Sequence, residues 1–333
     1  MNTTLPLLDA AGSVELAVLE RSGLVESRHL GAAAVIAPDG SLLRAFGNPD
    51  AVVYPRSSLK PFQAIAVQRA GLHLKGERLA LAMASHTGTE RHLAVVREIL
   101  TSAGLYESAL QCPADWPGDR DSAFEARAAG LGKRRTAMNC SGKHAAFLAA
   151  CVQNGWPIES YLDPAHPLQR LVRETVEEFA GTDVAHTGVD GCGAPLFAVT
   201  LRGLATAISR VAASPANDPT GPAARLVAAV LANPWAIDGP DEPGTVIVER
   251  LGLFAKEGAE GVMVRGAPDG TAVAVKMLDG GRRAVFLAAL GILASVGAVD
   301  ATLAERVATE VTEPVLGGGV PVGKLRLADD ILP

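Results

Sequence analysis

Aromatic residues make up only 4% of this 333-residue chain, and cysteine occurs four times. Scarce aromatics rule out a core built on large rings. Alanine, glycine, valine and leucine must fill the interior instead, through close approach of small-faced elements. Four cysteines (Cys112, Cys140, Cys151 and Cys192) in so long a chain do not make a disulfide framework, and reduced thiols are expected. Basic clusters are also missing. A formal charge of −6 argues against a nucleic-acid partner, whose affinity rests on lysine and arginine. No G-x-G-x-x-G follows a strand pattern and no Walker loop is present, so nucleotide binding has no support. The longest apolar run, residues 284–299, is interrupted by Gly291, Ser295 and Gly297. It falls short of the roughly 20 residues a membrane span needs, and reads as a buried helix. Residues 1–11 show neither the basic nor the apolar stretch of a signal peptide, so cytoplasmic residence is expected.

What the chain does contain is an ordinary globular balance, 48% apolar and 20% charged, enough for one domain with a substantial core. Alternation over residues 14–20 and a small-residue run over 31–36 predict strands. A Pro38-Asp39-Gly40 turn then leads into a returning strand over 42–46. Helical spacing of apolar residues covers 77–84, 90–103, 143–154, 167–180, 196–213 and 222–232. Prolines 215, 219, 222, 234, 240 and 243 punctuate the end of this helical middle, residues 77–232. Strands are expected again at 261–264 and 272–277, then, after Asp279-Gly280-Gly281, at 283–287; a last helix is expected at 301–311. Strands at both ends around a helical middle predict a single α+β domain, its terminal strands sharing a helix-covered sheet.

Ser57 and Lys60 stand three residues apart in Tyr54-Pro55-Arg56-Ser57-Ser58-Leu59-Lys60-Pro61. On a helix that spacing places both side chains on one face, and a neutral lysine amine can take the proton of a serine nucleophile. Pro61 is compatible with a helix start there, and such a start favours developing negative charge. Three further polar segments stand out. Ser85-His86-Thr87-Gly88 follows a helical run and also reads as a helix C-cap. Met138 to His144 puts a thiol, an amine and an imidazole at a helix start, where a thiolate is favoured. Asp190-Gly191-Cys192-Gly193-Ala194-Pro195 brackets a cysteine with glycines that allow close backbone approach. Cys192 can be a small core residue, or Cys140 and Cys192 can meet around a soft metal such as zinc, with Lys143 or His144 as third ligand. Lys276 closes an alternating strand; near Ser57 it would crowd Lys60 and favour a neutral amine.

Together R-S-S-L-K-P at 56–61, S-H-T-G at 85–88, N-C-S-G-K-H at 139–144, D-G-C-G-A-P at 190–195 and K-E-G-A-E-G at 256–261 resemble the asparaginase II family of the Rhizobium etli type. The resemblance spans about residues 15–325. It implies a serine-β-lactamase-like or penicillin-binding-protein-like fold with an antiparallel sheet, a homodimer, and hydrolysis of L-asparagine to L-aspartate and ammonia. It maps two Ser–Lys pairs onto Ser57 with Lys60 and Ser85 with Lys276, and a zinc site onto Cys140, Lys143 and Cys192. Arg56, His144 and Asp190 fall at expected substrate contacts; by charge, Asp190 suits the α-ammonium and Arg56 the α-carboxylate. Two other readings compete: a penicillin-binding or β-lactamase-type amidase, and a zinc-dependent asparagine binder without turnover. The former families carry S-D-N and K-T-G elements, for which Lys276-Met277-Leu278 is a poor substitute.

Overall fold

A long second strand organises the molecule, and the computed structural model describes residues 5–331. In chain order the strands are β1 Val14–Arg21, β2 Leu24–Ile36, β3 Leu42–Phe46, β4 Val52–Val53, β5 His186–Val189, β6 Pro195–Thr200, β7 Phe254–Gly258, β8 Val262–Gly266, β9 Ala272–Met277, β10 Val315–Gly317 and β11 Val320–Leu327. The helices that carry the argument are α1 Lys60–Arg69, α2 Gly76–Leu81, α3 Ser141–Asn154, α4 Pro167–Ala180, α5 Leu201–Ala212, α6 Pro243–Leu251, α7 Val285–Ser295 and α8 Ala301–Val311.

The main sheet runs β10-β11-β1-β2-β9-β8-β7, and every pairing in it is antiparallel. Strand β2 serves two neighbours along one edge: Leu24–Gly31 pairs with β1, and Ala33–Ile36 pairs with β3. Its composition explains the division. The first half alternates exposed and half-buried residues, whereas Gly31 to Ile36 is buried on both faces. Helix α5 covers one face of β2, β8 and β9, and α7 covers the other face of β8 and β9. Glycines make this close: a methyl on Gly266 would sit 2.6 Å from Ala212 Cβ of α5. The expected α+β sandwich with terminal strands in one sheet is what forms. Residues 285–295 become the buried helix α7, and no helix among the described residues is long and apolar enough to cross a membrane.

Two expected elements come out differently. Residues 196–213, read as one helix, divide into β6 and α5. The run Leu196-Phe197-Ala198-Val199-Thr200 is rich in strand formers and pairs with both β4 and β5. Thr200 then caps α5, its hydroxyl accepting from Gly203 N at 3.0 Å. Residues 283–287, expected as a strand after the Gly280-Gly281 turn, instead begin α7. Strand β7, which sequence periodicity did not reveal, forms the sheet edge beside residues 56–59.

Candidate active site

The 3-10 turn Arg56–Leu59 runs directly into α1, whose second residue Pro61 fits the first turn. Arg56 holds a left-handed backbone at φ 51°. Such a conformation in a residue with a side chain costs on the order of 1–3 kcal/mol and persists only where surrounding structure enforces it. Here β7 supplies the enforcement: a methyl on Gly258 would lie 2.5 Å from Pro55 O, and Ser58 Oγ donates to Lys256 O at 3.4 Å.

Lys60 is buried, at 1% exposure. Its Nζ donates to Ala84 O at 2.6 Å and pairs with Ser85 Oγ at 2.8 Å. Ser85 lies just past α2 in a segment strapped on both sides. Ser85 N donates to Ile237 O (2.9 Å), His86 N to Asn139 O (3.1 Å) and Thr87 N to Asp238 O (2.6 Å). Gly88 follows in the left-handed conformation at φ 76°. The hydroxyl held by Lys60 is therefore that of Ser85; Ser57 Oγ, half-buried one turn before, takes part in no side-chain hydrogen bond among the described residues.

The cysteine segments meet beside this pair. Cys140 stands at the N-cap of α3, which starts two residues earlier than its apolar pattern suggests. Lys143, 2% exposed on the first turn of α3, brings Nζ to 2.9 Å from Cys192 Sγ. Cys192 Sγ lies 3.7 Å from Asp190 Oδ2, and Asp190 Oδ1 accepts from Arg56 Nε at 2.8 Å. Glu260 Oε1 stands 3.7 Å from Arg56 Nη1. Arg56 and Asp190, assigned to opposite ends of one ligand, are thus joined to each other, and both remain partly exposed at the rim. His144 is fully buried, its Nδ1 2.7 Å from Tyr161 Oη.

These contacts set the charges. A hydrogen bond from the Cys192 thiol holds Cys140 well below the ordinary thiol range despite burial, with Lys60 and Lys143 assisting. Cys192 is pushed up, first by its bond to Cys140 and then by burial. Burial favours a neutral Lys143, but the charge on Cys192 and Cys140 outweighs it and raises the amine. Burial likewise works against an ionised Asp190, yet the Arg56 hydrogen bond and the Lys143 charge hold it below the usual carboxylate range. Two soft sulfurs and an amine converging in a buried pocket fit a zinc donor set. Among the described residues no three His, Cys, Asp or Glu side chains are grouped to hold a metal, so a site here requires the lysine.

Lysine placement departs from expectation. Lys276 Nζ donates to Glu260 O and Met277 O, each at 2.6 Å, and no hydrogen bond joins it to Ser85. The lysine whose charge is felt with Lys60 is Lys256, lowered to about 8 first by burial and then by Lys60. Lys256 lies opposite Val264 in β8, while Gly258 and Lys276 both lie opposite Val262, so all three share one sheet face. Of the two strands that carry these lysines, β7 packs on the Arg56–Leu59 turn, and Lys256 is the lysine that feels the charge of Lys60. Strand order, which periodicity does not encode, decides between them. Behind β7, Asp238 is raised to about 7 by burial and the charge of Glu257, and Arg265 is buried with Nε and Nη2 unpartnered among the described residues.

A family model for L-asparaginase II matches residues 17–327. No curated protein matches the chain. Solved structures similar to it include Mglu in its glutamate form, at 15% identity and TM-score 0.46, covering 80% of this chain and 61% of that one. A beta-lactamase from Mycobacterium bovis is similar at 17% identity and TM-score 0.38, covering 85% and 95%. A Bacillus glutaminase is similar at 11% identity and TM-score 0.35, covering 76% and 84%. The chain spans a little under two thirds of the length of Mglu.

Proposed function

The chain belongs to the L-asparaginase II family, and from that premise we propose that it hydrolyses L-asparagine to L-aspartate and ammonia through a seryl β-aspartyl ester. The observation that carries the reading is the half-buried Ser85 held by buried Lys60, whose charge reaches buried Lys256, one turn from Ser57, with Lys60 Nζ 2.8 Å from Ser85 Oγ. A lysine lowered to about 8 supplies a neutral amine for a useful fraction of molecules near neutral pH.

Ser57 is the nucleophile in this proposal. Among the described residues its hydroxyl has no side-chain hydrogen-bond partner, it follows the strained Arg56, and it sits where first-turn N–H groups favour negative charge. As Ser57 Oγ bonds to the side-chain amide carbon, its proton passes to the lysine array, with Ser85 relaying it. The same array returns a proton to the departing nitrogen as the C–N bond breaks and ammonia leaves. Water then gives up a proton to the array and splits the ester, releasing aspartate and restoring Ser57. Backbone donors aimed at the oxyanion contribute roughly 3–4 kcal/mol each in such chemistry. Arg56 and Asp190 open their mutual pair to take the substrate's α-carboxylate and α-ammonium.

Cys140, Lys143 and Cys192 would hold the zinc ion, whose positive charge would fix the start of α3 against the Asp190 loop. Lys143 must lose its proton to serve as a ligand. A homodimer and cytoplasmic residence belong to the same proposal. The test is ammonia release from L-asparagine and from L-glutamine by wild type and by Ser57→Ala. Activity on asparagine lost in the variant is expected; wild-type turnover in Ser57→Ala overturns the assignment.

A further inference from the structure

His144 offers two nitrogens, and the sequence leaves open whether one of them binds metal. Hydrogen bookkeeping around Tyr161 decides the matter. Tyr161 is fully buried, and its Oη accepts the backbone N–H of Gln111 at 3.0 Å. The phenol proton then needs an acceptor of its own, because an unmade bond in a buried site costs about 1–3 kcal/mol. The acceptor in reach is His144 Nδ1 at 2.7 Å. With Nδ1 occupied as an acceptor, a neutral imidazole must carry its proton on Nε2. That nitrogen is buried and has no hydrogen-bond partner among the described residues.

We propose that Tyr161 fixes His144 as the Nε2–H tautomer, so that neither ring nitrogen keeps a free lone pair and His144 is barred from the ligand set of a metal held by Cys140, Lys143 and Cys192. Tyr161 is thus a positioning residue, acting on the pocket through the imidazole. Outer-shell groups that fix a side chain beside a metal site typically change metal affinity about 10–100-fold. The bulk of the ring alone does not explain the arrangement: a phenylalanine would fill the space but leave Nδ1 without its donor. The tautomer follows from the hydrogen bonds alone; the consequence for zinc rests on the metal reading given above.

The test begins on the unaltered protein, with ring-labelled histidine and long-range proton–nitrogen correlation spectra, His144 being assigned by its loss in His144→Gln. A pyridine-type Nδ1 and a pyrrole-type Nε2 are expected, and the opposite pattern overturns the proposal. In Tyr161→Phe, His144 should populate both tautomers and zinc affinity, measured against a chromophoric chelator, should fall about 10–100-fold. An unchanged single tautomer in that variant also overturns it. Wild-type protein that binds no zinc while showing the expected tautomer would sink the metal reading and leave the Tyr161 assignment standing.

Discussion

Replacing Lys256 by methionine keeps most of the side chain's volume and removes its charge. Lys256 is buried and lowered from 10.5 to about 8, first by burial, then by the Lys60 charge, against the raising effect of Glu257 and Asp238. At about 1.4 kcal/mol per pKa unit, the charged amine costs the folded state at most ~3 kcal/mol. The sign follows from linkage. Below pH 8 both folded and unfolded states carry the proton, and the folded state bears the full cost. As pH rises from 8 towards 10.5 the folded state has released its proton and the cost fades. Lys256→Met is therefore expected to be the more stable protein at neutral pH, with the gap closing in alkaline buffer. Asp238 loses a cation, but its carboxyl is already raised to about 7 and can go neutral. Unfolding entropy of about 2.1 cal/mol/K per residue makes ~3 kcal/mol equivalent to ~4 °C in a chain of 333 residues. Activity should move the other way, falling by about 10²–10⁴-fold if the amine is the general base. Thermal scans from pH 6 to 10.5 and coupled ammonia release over the same range provide the readout. Wild-type turnover with an unchanged pH profile, or a variant less stable by several kcal/mol at pH 7, refutes the reasoning.

Three further outcomes follow from the geometry. Gly258→Ala places a methyl 2.5 Å from Pro55 O, so β7 must shift; the cost should be about 1–3 kcal/mol by denaturant titration, with lost turnover, and an unaffected enzyme contradicts the tight approach. Asp190→Asn leaves Arg56 with a neutral partner and removes the proposed ammonium anchor. The loss of a charged hydrogen bond, about 1.5–3 kcal/mol, should appear as KM raised about 10–100-fold, and a fall in kcat at constant KM argues against that role. Cys192→Ser should lower zinc content measured by elemental analysis, and stoichiometric zinc in that variant refutes the donor set.

Elements with strong local signals were legible. The helix at 167–180 carries Pro167 at its start and Gly181 just past its end, and the structure uses both, with His166 capping and Gly181 at φ 68°. The strand at 272–277 and the helix at 301–311 match for similar reasons. The failure at 196–213 has a different origin. Leu196 to Thr200 satisfies helical spacing and strand propensity equally, and its partners β4 and β5 lie at residues 52–53 and 186–189. Nothing local distinguishes a short buried strand feeding a helix from one longer helix.

The same limit governs the site. Ser57 and Lys60, or Cys140 and Lys143, are close because a helix start makes them so, and spacing alone finds them. Ser85 reaches Lys60 across 25 positions, yet its segment still announces itself by polarity and Gly88. Choosing between Lys256 and Lys276 needs more. Both lie on one sheet face, in strands two apart, and the order β9-β8-β7 puts the later lysine inward and the earlier one at the edge. The spacing Lys256-Glu257-Gly258 also supplies the Lys-x-Gly element sought in vain at Lys276. Its glycine has a physical reason, since the edge strand approaches Pro55 too closely for any side chain. A lysine two residues before such a glycine is held at fixed height above the Arg56–Leu59 turn. That constraint makes Lys256, and not a lysine of the sheet interior, the amine whose charge answers to Lys60.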